Sequence, residues 1–307
     1  MSMPSTDFHR GLMHPRHWLT WCGLFVFFLI TRLPIGLLDK TGAFLGRVLH
    51  KKNKKRAEIV RINLQLCFPD KSDEEIDAMA IQHFELLMIS LMHYGLIWWS
   101  DNRRLENLIE RVGFEQIEQI YAENRNVIIL LSHCTGLEFA VFAVASSSRG
   151  AGPYKPFPNP VIDWLILRSR AKYQCKPFRR EDGLRPVIRY ARDKLPIVYL
   201  ADEDLGRDVS VFAPLFGHQK ATIPVLGRLA KACNADVLPA MACYDRQKHQ
   251  YKITLLEADT DFPLEDELQN ATAMNRMIEQ TISQCPLQYF WTMKFFKTRP
   301  EGEQSFY

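Results

Sequence analysis

Residues 127–142, VIILLSHCTGLEFAVF, decide how the rest of the chain is read. Residues 127–131 form a short, unbroken apolar run of strand length. The run breaks at Ser132 and Gly136, and residues 137–145 follow as an apolar stretch of helical length. His133 lies in the break, with Glu138 five residues on. On one continuous helix, positions i and i+5 stand about 140° apart and do not face each other. The two residues can therefore cooperate only if His133 is on a turn and Glu138 is in the first turns of a helix. Strand–turn–helix gives that arrangement. Glu138 is then expected to hold one ring nitrogen of His133 and leave the other to take a proton. A histidine at a strand end also serves as an ordinary structural residue. The carboxylate in an otherwise apolar helix start weighs against that reading, because burying it unpaired is costly.

The chain has 307 residues, enough for one large core with additions. Net charge is only +4, but the first sixty residues are strongly basic. That asymmetry points to an anionic surface as partner. Nucleic acid is not expected, because the lysines sit beside an apolar stretch and lack interleaved aromatics. Seven cysteines are scattered with no CxxC pair, which argues against a disulfide framework and fits a reducing compartment. No Cys/His spacing matches a zinc site. Cys134 reads as a small buried apolar residue rather than a nucleophile.

Taken in order, residues 1–17 read as a flexible N-terminus. Residues 18–38, WLTWCGLFVFFLITRLPIGLL, read as a membrane-anchor helix, spanning or half-inserted. Arg32 near one end can snorkel. The basic run 51–56, KKNKKR, suits anionic headgroups. Ser72 with Glu75 forms a capping box that opens a long helix. Its continuation to Trp99 is apolar enough to be either a core helix or a second membrane-facing surface. Further strands are expected over 197–200, 236–242 and 251–256. Further helices are expected over 161–173, 182–194, 222–232 and 274–283. Helices alternating with short buried strands give an α/β domain over residues 39–307, a central mixed sheet flanked by helices. Asp202 and Asp204 have no third ligand beside them and read as a loop held by local hydrogen bonds. No metal is expected.

Several motifs occur together. Asn63-Leu64 and Cys67-Phe68-Pro69 precede the long helix, and His133-x4-Glu138 follows the first strand. Tyr154-Lys155-Pro156, Asp202-Glu203-Asp204, Val211-Phe212 and Phe216-Gly217 come next. The chain ends with residues 286–291, PLQYFW, and 294–300, KFFKTRP. As a set, from about residue 18 to 300, these resemble the lipid A biosynthesis late acyltransferases of Gram-negative bacteria, the lauroyl/myristoyl transferase family with its HX4E motif. The resemblance implies a glycerolipid-acyltransferase-like fold and an inner-membrane enzyme whose catalytic domain faces the cytoplasm. It implies transfer of a fatty acyl chain from an acyl carrier protein thioester to a hydroxyl of a 3-hydroxyacyl chain on a Kdo-bearing lipid A precursor. No cofactor is expected beyond that donor.

In this reading His133 is the general base and Glu138 fixes its tautomer. Arg168 and Arg170 read either as a solvated helix end or as a fork for a lipid phosphate or phosphopantetheine. Lys294, Lys297 and Arg299 read as a basic face for phosphate or the acidic carrier protein. Two alternatives stay open at this point. One is a phospholipid-type enzyme that acylates glycerol phosphate; the other is a non-catalytic lipid-binding protein of the same fold.

Overall fold

A computed structural model describes residues 6–183, 185–259 and 261–307. Residues 1–5 of the expected flexible N-terminus lie outside the described residues. Arg10–Met13 and Pro15–His17 are short 3-10 turns, and Leu12 is buried between them and the helix that follows. The Trp21 indole donates to the Leu12 carbonyl at 2.8 Å.

The apolar N-terminal run is two helices rather than one. Helix α1 (Trp18–Ile30) stops where the Thr31 hydroxyl donates to the Phe28 carbonyl at 2.8 Å. Pro34, which has no N–H to continue the ladder, caps the start of α2 (Ile35–Lys52). At about 1.5 Å per residue α1 is about 20 Å long, short of a hydrocarbon core of about 30 Å. No described helix is long and apolar enough to cross a membrane. The expected N-terminal membrane-anchor helix over 18–38 is therefore corrected. The hydropathy is there, but Pro34 divides it, and α2 turns its inner face, with Leu38, Asp39, Gly42 and Gly46, into the protein.

That inner face packs on α4 (Asp73–Trp99), which opens on the Ser72/Glu75 capping box. The backbones approach closely at two glycines. A Cβ on Gly42 would stand 2.6 Å from the Ile89 Cα, and one on Gly46 would stand 2.6 Å from the Glu85 Cα. Phe84, Ile89 and Leu96 are at most 1% exposed, so the apolar continuation of α4 is a core helix. Between them in sequence comes α3 (Lys54–Cys67), separated from α2 at Asn53, whose side chain accepts from the Arg56 N–H. The 51–56 basic run thus straddles a helix break. A short α5 (Asn102–Glu106) leads into the sheet domain.

That domain contains, in chain order, β1 (Ile109–Val112), α6 (Glu115–Ala122), β2 (Asn126–Leu131), α7 (Leu137–Ser148), β3 (Ala151–Tyr154) and α8 (Pro160–Lys172). It continues with β4 (Lys176–Arg179), α9 (Arg185–Arg192), β5 (Ile197–Tyr199), β6 (Val211–Leu215), β7 (His218–Thr222) and α10 (Val225–Cys233). It ends with β8 (Ala235–Asp245), β9 (Gln250–Leu255) and α11 (Glu267–Gln284). The helix expected over 182–194 is the shorter α9; Leu184 lies outside the described residues.

Seven strands form one sheet in the order β1-β9-β8-β2-β5-β3-β4, while β6 and β7 form a separate hairpin. All neighbours in the large sheet run parallel except β8 and β9. The sheet is mixed and helix-flanked, as expected. Residues 127–131 are 0–1% exposed. Central position with both faces covered explains why their sequence is continuously apolar rather than alternating. Each such side chain contributes about 1.5–3 kcal/mol by leaving water.

A C-terminal strip closes the domain. Cys134 bridges to Tyr289, the Thr135 N–H donates to the Gln288 carbonyl at 2.8 Å, and the Phe290 N–H donates to the His133 carbonyl at 2.9 Å. Asn63 of α3 holds the same strip by donating to the Trp291 and Met293 carbonyls, each at 2.7 Å. Cys243 on β8 and Cys285 after α11 are joined as a disulfide, with Cα atoms 5.9 Å apart. The dispersed cysteines argue against a disulfide framework, and this single bond is one such pairing. Residues 42 apart meet because α11 packs back along β8, which sequence spacing does not report.

Candidate active site

The site forms where β2 and β5 end. Ligands in such sheets bind beyond the carboxyl ends of the strands. Ile128, Ile129 and Leu130 pair with Ile197, Val198 and Tyr199 in parallel register. Three residues past Leu130 is His133; three residues past Tyr199 is Asp202. Continuing the register brings the two together. The His133 N–H donates to Asp202 Oδ2 at 2.8 Å, and His133 Nδ1 lies 2.5 Å from Asp202 Oδ1. One carboxylate thus fixes both the backbone and the ring of His133. Nε2 faces Glu203 Oε1 at 3.9 Å, and the ring is 20% exposed.

Asp202 itself is fully buried. Burial pushes its carboxyl upward, but His133 and the buried Lys220 ammonium outweigh this and hold it below the usual carboxylate range. Lys220, on β7, is pulled down by burial while Asp202 and Asp204 work in the opposite direction. Its Nζ donates to the Ala221 carbonyl at 3.2 Å. Next to His133, Cys134 is 2% exposed, and burial pushes its thiol up to about 12, far from a nucleophile at neutral pH.

Glu138 lies in the first turn of α7, after Gly136. Its carboxylate takes the guanidinium of Arg170, from the last turn of α8, with Nη2 on one oxygen and Nε 3.4 Å from the other. Burial opposes the charge on Arg170, and Glu138 outweighs it, so the guanidinium stays fully charged. Both side chains are about one-seventh exposed (15% and 14%). The orienting role that the sequence assigns to Glu138 is thus filled by Asp202, while Glu138 orients Arg170. The tie between His133 and Asp202 spans 69 residues, which is why a short motif does not reveal it. The signal present was that two apolar strands each end shortly before an ionisable residue.

The other expected site residues separate. Arg168 is exposed and stacks on Trp164, with Cζ 5.2 Å from the ring centroid. On a helix, residues two apart lie about 200° apart, so Arg168 and Arg170 occupy opposite faces of α8 and form no fork. Arg299 is only 9% exposed in its side chain and bonds Glu303 and the Gln219 carbonyl, which makes it a structural tie. Lys294 lies over the Tyr307 ring at 4.9 Å. Lys297 is exposed, with Nζ 3.4 Å from the Asp204 carbonyl. Asp204 accepts from the N–H and hydroxyl of Thr298 at 2.6 and 2.8 Å, so it pins the C-terminal strip. The two aspartates of the 202–204 segment therefore have different tasks, one toward His133 and one toward the strip.

Comparison with known proteins agrees across nearly the whole length. The bacterial lipid A biosynthesis acyltransferase family matches residues 5–298. A lipid A biosynthesis lauroyltransferase of Escherichia coli (strain K12) is 34% identical over 98% of each chain. The lipid A biosynthesis palmitoleoyltransferase of the same organism is 30% identical over 99% of each chain. The myristoyltransferase is 30% identical over 97% of this chain and 92% of its own.

Proposed function

The chain belongs to the bacterial lipid A biosynthesis acyltransferase family and is an acyltransferase; on that footing we propose that it moves a fatty acyl chain from an acyl carrier protein thioester to a hydroxyl of a 3-hydroxyacyl chain on a Kdo-bearing lipid A precursor. The observation that carries the reading is His133 seated on Asp202 at the turn that leads, five residues on, to the part-buried Glu138–Arg170 pair.

The acceptor hydroxyl gives its proton to His133 Nε2 as its oxygen attacks the thioester carbonyl. Asp202 keeps the proton on Nδ1 and stabilises the imidazolium as it forms. Negative charge gathers on the former carbonyl oxygen, where the Arg170 guanidinium and the N-terminus of α7 are the stabilising groups. Collapse breaks the carbon–sulfur bond, and the imidazolium proton passes to the departing thiolate. Glu138 holds Arg170 in position and keeps it charged in a partly dry site. Lys297 offers the acidic carrier protein an exposed cation on the C-terminal strip. The reaction takes place at the cytoplasmic face of the inner membrane. This placement is supported by the lipid acceptor and by apolar side chains that α1 and α2 leave exposed, among them Leu19, Phe25, Leu29 and Phe44.

Mass spectrometry of a lipid A precursor, incubated with the purified chain and carrier-linked donors of graded length, tests this reading. A gain of one acyl mass, lost in His133→Ala, is the expected result. No gain with any donor from folded protein, with glycerol phosphate acylated instead, would overturn it.

A further inference from the structure

A groove of about 610 Å³ lies between α1, the end of α4 and α8. Trp21, Phe28, Trp98, Trp99 and Trp164 supply most of its wall, and Arg168 and Lys172 stand at one side. That volume is within the range of sites that hold small lipids and other ligands. The cations are one helical turn apart on the same face of α8, the face opposite Arg170. The groove is therefore separated from His133 and Glu138 by the body of α8. Phe25 lines the groove and is 62% exposed, and Leu29, one turn further on, is 51% exposed. The apolar wall thus runs without interruption onto the exposed face of α1.

We propose that this groove binds an anionic phospholipid, with one acyl chain against the tryptophans and the phosphate on Arg168 and Lys172. Three observations choose that occupant. The wall is aromatic and continuous with an exposed apolar surface. Two cations sit together at its edge. Among the described residues neither cation makes a salt bridge: Arg168 stacks on Trp164, and Lys172, which also feels the charge of Asp101, donates to the Ser100 carbonyl, leaving ammonium protons for a phosphate. The site is distinct from the reacting centre and does not depend on which acceptor is used there.

Tryptophan fluorescence tests the proposal, because the groove holds four of the six tryptophans. Trp18→Phe removes the exposed reporter outside it. The full chain in neutral detergent is titrated with phosphatidylglycerol brominated on one chain, and separately with matched brominated phosphatidylcholine. Saturable quenching is expected, with phosphatidylglycerol about 10- to 30-fold tighter, the worth of two cation contacts. The Arg168→Ser/Lys172→Ser double variant should bind the two lipids equally. Arg168→Ser alone should weaken phosphatidylglycerol by about fivefold. This single variant guards against a fold effect at Lys172, since Arg168 is exposed. Equal affinity for both lipids in the parent, or no change in Arg168→Ser, would overturn the proposal. So would competitive displacement by a bis-phosphorylated glucosamine disaccharide lipid, which would make the groove part of the acceptor site. All readouts are binding, so a failed acyl-transfer assay would not decide them.

Discussion

Two of the histidine–aspartate pairs among the described residues, His133–Asp202 and His93–Asp39, differ in one respect that matters. His133 and Asp202 meet at the open end of β2 and β5, with the histidine ring 20% exposed. His93 of α4 and Asp39 of α2 meet at 3.0 Å inside the helical layer, where the ring is fully buried. Asp39 also accepts from the Tyr244 hydroxyl at 3.0 and 2.9 Å and lies 2.8 Å from His249 Nδ1, and His93 Nδ1 lies 3.0 Å from the Tyr251 hydroxyl. Tyr251 of this cluster stacks on Phe139 of α7, with ring centroids 3.7 Å apart, and so joins the cluster to α7. The chemistry of the two pairs is alike, but their access is not. A paired histidine can serve as a base for substrate only where its ring is accessible, as the partly exposed His133 ring is; enclosed, the same pair ties helices to a sheet.

Substitutions can break or sharpen this contrast. His133→Ala should lower kcat about 10²- to 10⁴-fold, the usual worth of a general base, in protein that still folds but is less stable by about 1–3 kcal/mol, because buried Asp202 loses its ring partner. Asp39→Ala should act in the opposite sense, costing about 3–5 kcal/mol of stability by stranding buried partners, with kcat per folded molecule retained. Denaturant melts and active-site-normalised rates, measured together, separate the two outcomes. Next in size, Arg170→Lys should cost about 10- to 100-fold in kcat, because an ammonium cannot take the two-point contact with Glu138 and still reach the oxyanion. Glu138→Gln, which keeps the shape, should cost less.

The smallest effect is on acid stability. Burial raises and paired groups lower both Asp202 and Asp39, and the net shift in each is below the ordinary 3.8. A depressed carboxylate stabilises the fold fully above that value and loses the contribution as pH falls through its folded pKa. Melting temperature should therefore drop as pH falls below about 4, and Asp39→Asn should make that slope shallower. An unchanged slope would mean that Asp39 is not the buried ionised group described.

The sequence showed the strand–turn–helix around His133 well and the Asp202 that holds its ring poorly. His133, the strand before it and the helix after it follow from local hydropathy alone. Asp202 was visible as part of an acidic loop, but its task depends on β2 and β5 being neighbours in register, a property of sheet order. The edge strands β1 and β4, and the short β3 between β5 and β4, were not legible either. IERV and KPFR carry charges, with a proline in the second, that suit edges, and AGPY contains Gly and Pro; none of them marks a strand. The 18–38 run misled for a related reason. Average hydropathy is blind to the break after Ile30, to Pro34 that opens a second helix, and to the inward face of α2 that packs on α4. The Cys243–Cys285 bond likewise depends on packing between β8 and α11 rather than on spacing.

The central claim is that Asp202, by holding His133, makes it the base. The most direct measurement is the single-turnover acyl-transfer rate of Asp202→Asn, alongside its KM for the carrier-linked donor. The account predicts a rate at least about 100-fold below wild type with KM little changed, since the amide leaves the shape but loses the charge that fixes the tautomer. A rate within about threefold of wild type, from protein with an intact fold, would contradict it.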